Sequence, residues 1–74
     1  MNLYPNPCHE SLIIEASIDQ VNSMEVYNNL GQKLQSITSV VFPYELNTGD
    51  LLEGQYFLVL SDGEIRTTKS FVKQ

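Results

Sequence analysis

Apolar and polar residues alternate along most of this chain with a period of two, in short runs separated by turn residues. In SLIIEAS (Ser11 to Ser17), Leu12, Ile14 and Ala16 fall on one side of an extended backbone; in SMEVYN (Ser23 to Asn28), Met24 and Val26 share a side and Glu25 and Tyr27 take the other. Both read as half-buried strands. QKLQSI, VVFPYEL and QYFLVLS continue the series, and EIRTTKSFVKQ closes it with β-branched and aromatic residues. Helix signals do not recur. The pattern predicts an all-β fold of six strands, or seven if NLY (Asn2 to Tyr4) adds an edge. Pro43 cannot donate to a ladder, so VVFPYEL is expected at an edge or with a bulge.

The connections fit hairpins. YNNLGQK reads as a type I turn with Gly31 left-handed, followed by a bulge. Gly49 and Gly54 bracket Asp50-Leu51-Leu52-Glu53, which reads as a crossover loop or short helical turn plugging one end of the fold with Leu51 or Leu52. Asp62-Gly63 reads as a two-residue type I′ turn, because Gly63 accepts a positive φ. That turn sets a register: Ser61 faces Glu64, Leu60 faces Ile65, Leu58 faces Thr67 and Tyr56 faces Lys69, with Phe71 on the same face. Lys69 then points into an apolar face. A bulge before Phe71 is the expected resolution, the alternative being a lysine stem lying along Tyr56.

The first ten residues, MNLYPNPCHE, break the pattern. Pro5 and Pro7 fix φ, donate no backbone hydrogen bond and bias the residues before them towards extended conformations, so Tyr4-Pro5-Asn6-Pro7 is a stiff segment, neither helix nor central strand. Its position directly after Met1 suggests a start codon placed before a fragment of a longer polypeptide.

Length and charge narrow the function classes. A chain of 74 residues makes one domain, and a domain of this size buries only about 60 % of the surface its unfolded chain exposes, so the core is small and leaves no room for a sizeable catalytic cleft. No apolar run approaches the roughly 20 residues of a membrane span, and no secretory signal peptide opens the sequence. The net charge of −5 argues against a nucleic-acid partner. All nine acids lie at or before Glu64, whereas Arg66, Lys69 and Lys73, three of the four basic residues, follow it. The last strand is therefore a basic strip on an acidic body, explained either by acidic strand neighbours or by solvent exposure.

Catalytic constellations are nearly absent. Cys8 and His9 are the only residues of their kinds and adjacent; neighbours alternate across an extended backbone, so they do not make a dyad or a metal pair. Cys8 reads as a small, partly exposed residue. Carboxylates at Asp50 and Glu53, or Asp62 and Glu64, lack the spacing of a calcium loop and sit in turns where acids are normally solvated. The seven aromatics, Tyr4, Tyr27, Phe42, Tyr44, Tyr56, Phe57 and Phe71, alternate within strand patterns and read as core more than as a ligand platform. No catalysis and no cofactor are expected.

Four motifs stand in order over the whole chain: YPNP (Tyr4, Pro5, Asn6, Pro7), VYNNLGQKL (Val26 to Leu34), LEGQYFLVL (Leu52 to Leu60) and, at the carboxyl end, TTKSFVKQ (Thr67 to Gln74). Together they resemble the type A C-terminal sorting domain of the type IX (Por) secretion system of Bacteroidetes. Members typically carry glycine at the equivalents of Gly31 and Gly54, and both are present. Cys8-His9 and Pro43 depart from the usual pattern without removing a motif. The resemblance implies a small immunoglobulin-like antiparallel β-sandwich that labels a secreted cargo for the outer-membrane type IX machinery after export to the periplasm, and in many members is removed by a sortase-like peptidase. It implies that residues 1–10 are a proline-rich linker from the upstream cargo and residues 11–74 the sorting domain, delivered to the cell surface or medium; a monomer is expected, and the charge already argues against a nucleic-acid partner.

In that reading Lys69, Phe71, Val72, Lys73 and Gln74 carry recognition, Phe71 or Val72 anchoring the strand and Lys69, Lys73 and Gln74 being presented. Tyr4, Pro5, Asn6 and Pro7 form the hinge, and Gly31, Gly54 and Gly63 hold turns. Chain ends commonly fray, so Lys73 and Gln74 are expected to contribute little to stability. The competing reading is a small immunoglobulin-like carbohydrate-binding or adhesion module, prompted by the sandwich pattern and the aromatics.

Overall fold

The computed structural model describes residues 1–16 and 20–74. They form seven strands: β1 (Asn2–Tyr4), β2 (Ser11–Glu15), β3 (Gln20–Asn28), β4 (Lys33–Val41), β5 (Tyr44–Asn47), β6 (Gly54–Ser61) and β7 (Arg66–Lys73). No helix occurs among the described residues. Ser17, the end of the first predicted strand, lies outside them. Two antiparallel sheets result, a small one in the order β1-β2-β5 and a larger one in the order β4-β3-β6-β7.

Alternation does most of the work. Leu12 and Ile14 of β2, Met24 and Val26 of β3, and Leu58 and Leu60 of β6 are all buried on the shared interior, as a period of two requires when one face of each sheet meets the other. Val40, Leu46, Tyr56 and Phe71 complete the contact from β4 to β7, and Leu3, Ile37, Phe42, Tyr44 and Leu51 pack partly buried around them. Leu51, rather than the 82 % exposed Leu52, closes the end of the core. Its loop is no helix: the Leu51 N–H donates to the Thr48 carbonyl at 3.1 Å, closing a tight turn.

Two segments differ from the pattern. QKLQSI and the first residues of VVFPYEL form one strand, β4, and the chain breaks at Phe42-Pro43 before Tyr44–Asn47 starts β5 in the other sheet. Proline removes a ladder donor at the point where the chain changes sheets. Both β4 and β5 lie at edges. The second correction is the β6–β7 register. Ser61 pairs with Arg66, Leu60 with Thr67, Leu58 with Lys69 and Tyr56 with Phe71, with no bulge. The loop is Asp62–Ile65, two residues longer than a type I′ turn, because the Asp62 carboxylate accepts the N–H groups of Glu64 (3.0 Å) and Ile65 (2.8 Å) while the Asp62 N–H reaches the Ile65 carbonyl at 3.2 Å. These bonds hold the Asp62 carboxyl below its ordinary pKa, the Ile65 bond most of all. Ile65, expected opposite Leu60, is 65 % exposed in the loop.

The other hairpin forms as the sequence predicts. The Gly31 N–H donates to the Asn28 carbonyl at 3.1 Å, Gly31 has φ +84°, and the β3–β4 register shifts between Val26 and Tyr27. The Asn28 side chain adds two further bonds, accepting the N–H groups of Leu30 and Gln32 at 2.9 and 3.0 Å.

Candidate functional site

The residues singled out at both ends of the sequence converge on β7. It is an edge strand whose one strand neighbour among the described residues is β6, so one side is satisfied along its length and the other is open except at its carboxyl end. Phe71 is fully buried and stacks on Tyr56, with ring centroids 5.6 Å apart and planes 20° from parallel. Tyr56 is itself fixed by its hydroxyl, which donates to the Leu52 carbonyl at 2.6 Å. Of the two proposed anchors, Phe71 holds the strand to the core; Val72, 37 % exposed, points outwards.

Lys73 corrects the expectation that its charge is presented. It follows Phe71 by two positions and so takes the interior side, where only 8 % of it is exposed and its ammonium donates to the Thr48 carbonyl at 2.8 Å. A buried ammonium needs such a partner. Lys69, also on that side, lies nearer the rim: it is exposed and its ammonium donates to the Met1 carbonyl at 2.7 Å. No bulge turns it away. Arg66 reaches back across the sheet to Glu25 at 3.7 Å, and Lys33 binds the same carboxylate at 3.3 Å. The basic strip thus has one acidic neighbour, at Arg66, and two backbone carbonyls.

The opening ten residues are bound into this end of the molecule. Asn2–Tyr4 forms β1 against β2, and the Tyr4 hydroxyl donates to Glu15, a bond that raises the tyrosine pKa above its ordinary value. Pro5 and Pro7 turn the chain from the small sheet to the edge of the large one. There the Asn6 side-chain oxygen accepts the Val72 N–H at 3.0 Å, the Cys8 N–H donates to the Val72 carbonyl at 2.8 Å, and the Gln74 N–H donates to the Cys8 carbonyl at 2.9 Å. Cys8 and Lys73 form a parallel bridge. Cys8, read from sequence as partly exposed, is 0 % exposed: pairing with β7 turns its small side chain into the core. His9 points the other way, its Nδ1 3.1 Å from the Gln74 carbonyl oxygen. Gln74 itself is exposed. The last residues of β7 are not a frayed end.

Thr48 is the residue that sequence reasoning missed. It is fully buried, and every polar group it has is used: its hydroxyl donates to the His9 carbonyl at 3.1 Å, its N–H to the Glu10 carbonyl at 2.9 Å, and its carbonyl accepts Lys73 and Leu51. The only available signal was its place beside Gly49 in a turn. Gly54 opens β6 opposite Lys73 at φ +152°, and Gly63 holds φ +101° in the β6–β7 loop.

Chemically, this site is a surface built from backbone and a few side chains. Among the described residues, no three His, Cys, Asp or Glu are grouped to hold a metal ion. The family model described as a secretion system C-terminal sorting domain matches residues 2–74. No curated protein and no solved structure matches the chain.

Proposed function

Because the chain belongs to the secretion system C-terminal sorting domain family, the signal that directs a fused cargo through the type IX machinery to the cell surface or extracellular space, we propose that β7 is the element the machinery reads. The observation that carries this reading is exposure along β7: Arg66 to Ser70 all face solvent, while Phe71 and Lys73 fix the strand from inside. In this division of roles Lys69, Val72 and Gln74 are presented, with Arg66 beside them. Phe71 and Lys73 keep the presented side in one shape.

Residues 1–10 carry the junction with the cargo and are themselves packed into the domain, so the cargo joins next to the strand being read. The role is non-catalytic, supported by the burial of Cys8 and the outward position of His9. The domain passes through the periplasm and meets outer-membrane components, with a sortase-like peptidase acting on the junction. A carbohydrate-binding or adhesion role finds no support: Tyr56 and Phe71 are stacked inside the core and Phe42 and Tyr44 pack against it.

The test is a fusion of this chain behind a periplasmic reporter in a type IX-competent host. The reporter is expected at the cell surface or in the medium. Retention of a folded fusion in the periplasm overturns the reading.

A further inference from the structure

The open side of β7 has a vacancy that the hydrogen bonds define residue by residue. In a strand, the N–H and C=O of one residue point to the same side and those of the next to the opposite side. Val72 gives its N–H to Asn6 and its carbonyl to Cys8, so its backbone faces away from β6. Counting back by two, the backbone groups of Ser70, Thr68 and Arg66 face the same open side. No hydrogen bond engages them among the described residues. Among the described residues, the edge is therefore occupied from Val72 onwards and takes no partner before it.

We infer that this empty stretch, Arg66 to Ser70, receives an extended segment of the secretion machinery by strand addition, and that the segment carries acidic side chains. This deepens the reading of β7 given above and rests on it. Three observations carry the inference. The same edge already takes up an extended segment at Cys8, so its geometry is competent for pairing. Its register with β6 runs through eight consecutive residue pairs without a shift, leaving a regular template, whereas the opposite edge strand, β4, carries a positive φ at Ser39 and a register shift against β3. Irregularities of that kind protect an edge from added strands. Finally, Arg66 and Lys69 lie along this stretch, both exposed although Arg66 also reaches Glu25 and Lys69 the Met1 carbonyl, and no acidic side chain follows Glu64 in the sequence, which favours acidic side chains on the incoming segment.

Main-chain pairing gives a specific test. Proline at an outward-facing position removes a donor that the fold does not use and places its ring where the added strand must lie. Ser70→Pro and Thr68→Pro, each in the reporter fusion, are expected to melt close to the wild type and to lower secretion at least tenfold. Normal secretion of either folded proline variant overturns strand addition. If neither proline variant folds, amide hydrogen exchange on the wild-type fusion decides the matter. Solubilised outer membranes from type IX-competent cells, compared with membranes lacking the machinery, should slow exchange at Thr68 and Ser70 at least tenfold. Unchanged exchange there overturns the inference. A solution dimer that Ser70→Pro dissolves without loss of secretion also overturns it, assigning the edge to a second copy. Failure of the wild-type fusion to be secreted strikes the underlying reading of the domain instead.

Discussion

Thr48 sits where three parts of the chain meet, and its hydroxyl donates to the His9 carbonyl. Replacing a buried hydroxyl by a methyl of the same shape leaves the carbonyl without that donor, which costs about 1–2 kcal/mol. In a domain of this size each kcal/mol moves the melting temperature by roughly 4–8 °C. Thr48→Val is therefore expected to melt several degrees lower and Thr48→Ser to regain most of the loss; equal melting of Thr48→Val and wild type would show that this bond does not hold the opening segment. Neither Thr48 nor the buried position of Lys73 was legible in the sequence. A lysine two residues after a core phenylalanine is on the interior side by alternation, but whether its ammonium reaches water depends on what covers the end of the sheet. That cover is Thr48, 25 residues away in sequence. Cys8 was hidden for the same reason, since nothing local says that an extended segment will pair with a strand more than sixty residues later.

Elements whose character is set by their own residues were legible. Alternation placed Leu12, Ile14, Met24, Val26, Leu58 and Leu60, and the asparagines and glycine of YNNLGQK specified a turn that forms with Gly31 at φ +84°. The β6–β7 hairpin was misjudged because Asp-Gly supports two outcomes. A type I′ turn uses the backbone freedom of both residues, whereas here the Asp62 carboxylate captures two N–H groups and lengthens the loop. The shift by two residues keeps Tyr56, Leu58, Leu60 and Phe71 on one face while Ile65 leaves it for the loop, so the core is unchanged. It does move Phe71 opposite Tyr56. The carboxylate bond also has a pH signature. Because the folded Asp62 pKa lies below its ordinary value of 3.8, its contribution is present above that pH and disappears as pH falls through the folded value. Asp62→Asn keeps an accepting oxygen without a titrating group, so the variant is expected to show less acid destabilisation below about pH 4 than the wild type. The Glu64 and Ile65 amide signals of the wild type should titrate with a midpoint below that of a free aspartate; an ordinary midpoint would contradict the loop geometry.

At the scale of the whole molecule, the two regions that the sequence presented as separate, a stiff opening segment and a basic carboxyl strand, form one junction. The Gln74 N–H is bonded to Cys8 and Lys73 to Thr48, so removing Lys73 and Gln74 takes away the last β6 pairing at Gly54 as well. Two or three hydrogen bonds at about 1 kcal/mol each give a loss of roughly 2–3 kcal/mol, a large share of what so small a core supplies. Deletion is therefore expected to lower the melting temperature on the order of 10–20 °C, the reverse of what fraying ends would give, and to abolish secretion of a fused cargo. Loss of secretion alone would not tell a lost shape from a lost charge. Lys73→Met separates them: it keeps the strand, the Gln74 bond and most of the buried stem while removing the ammonium, and the Thr48 carbonyl retains the Leu51 N–H. This variant is expected to melt only a few degrees below the wild type and to be secreted normally, because the Lys73 charge faces inwards and the presented charges are those of Arg66 and Lys69. Periplasmic retention of a folded Lys73→Met fusion would show that the ammonium itself is read, which requires the end of β7 to leave the junction before recognition.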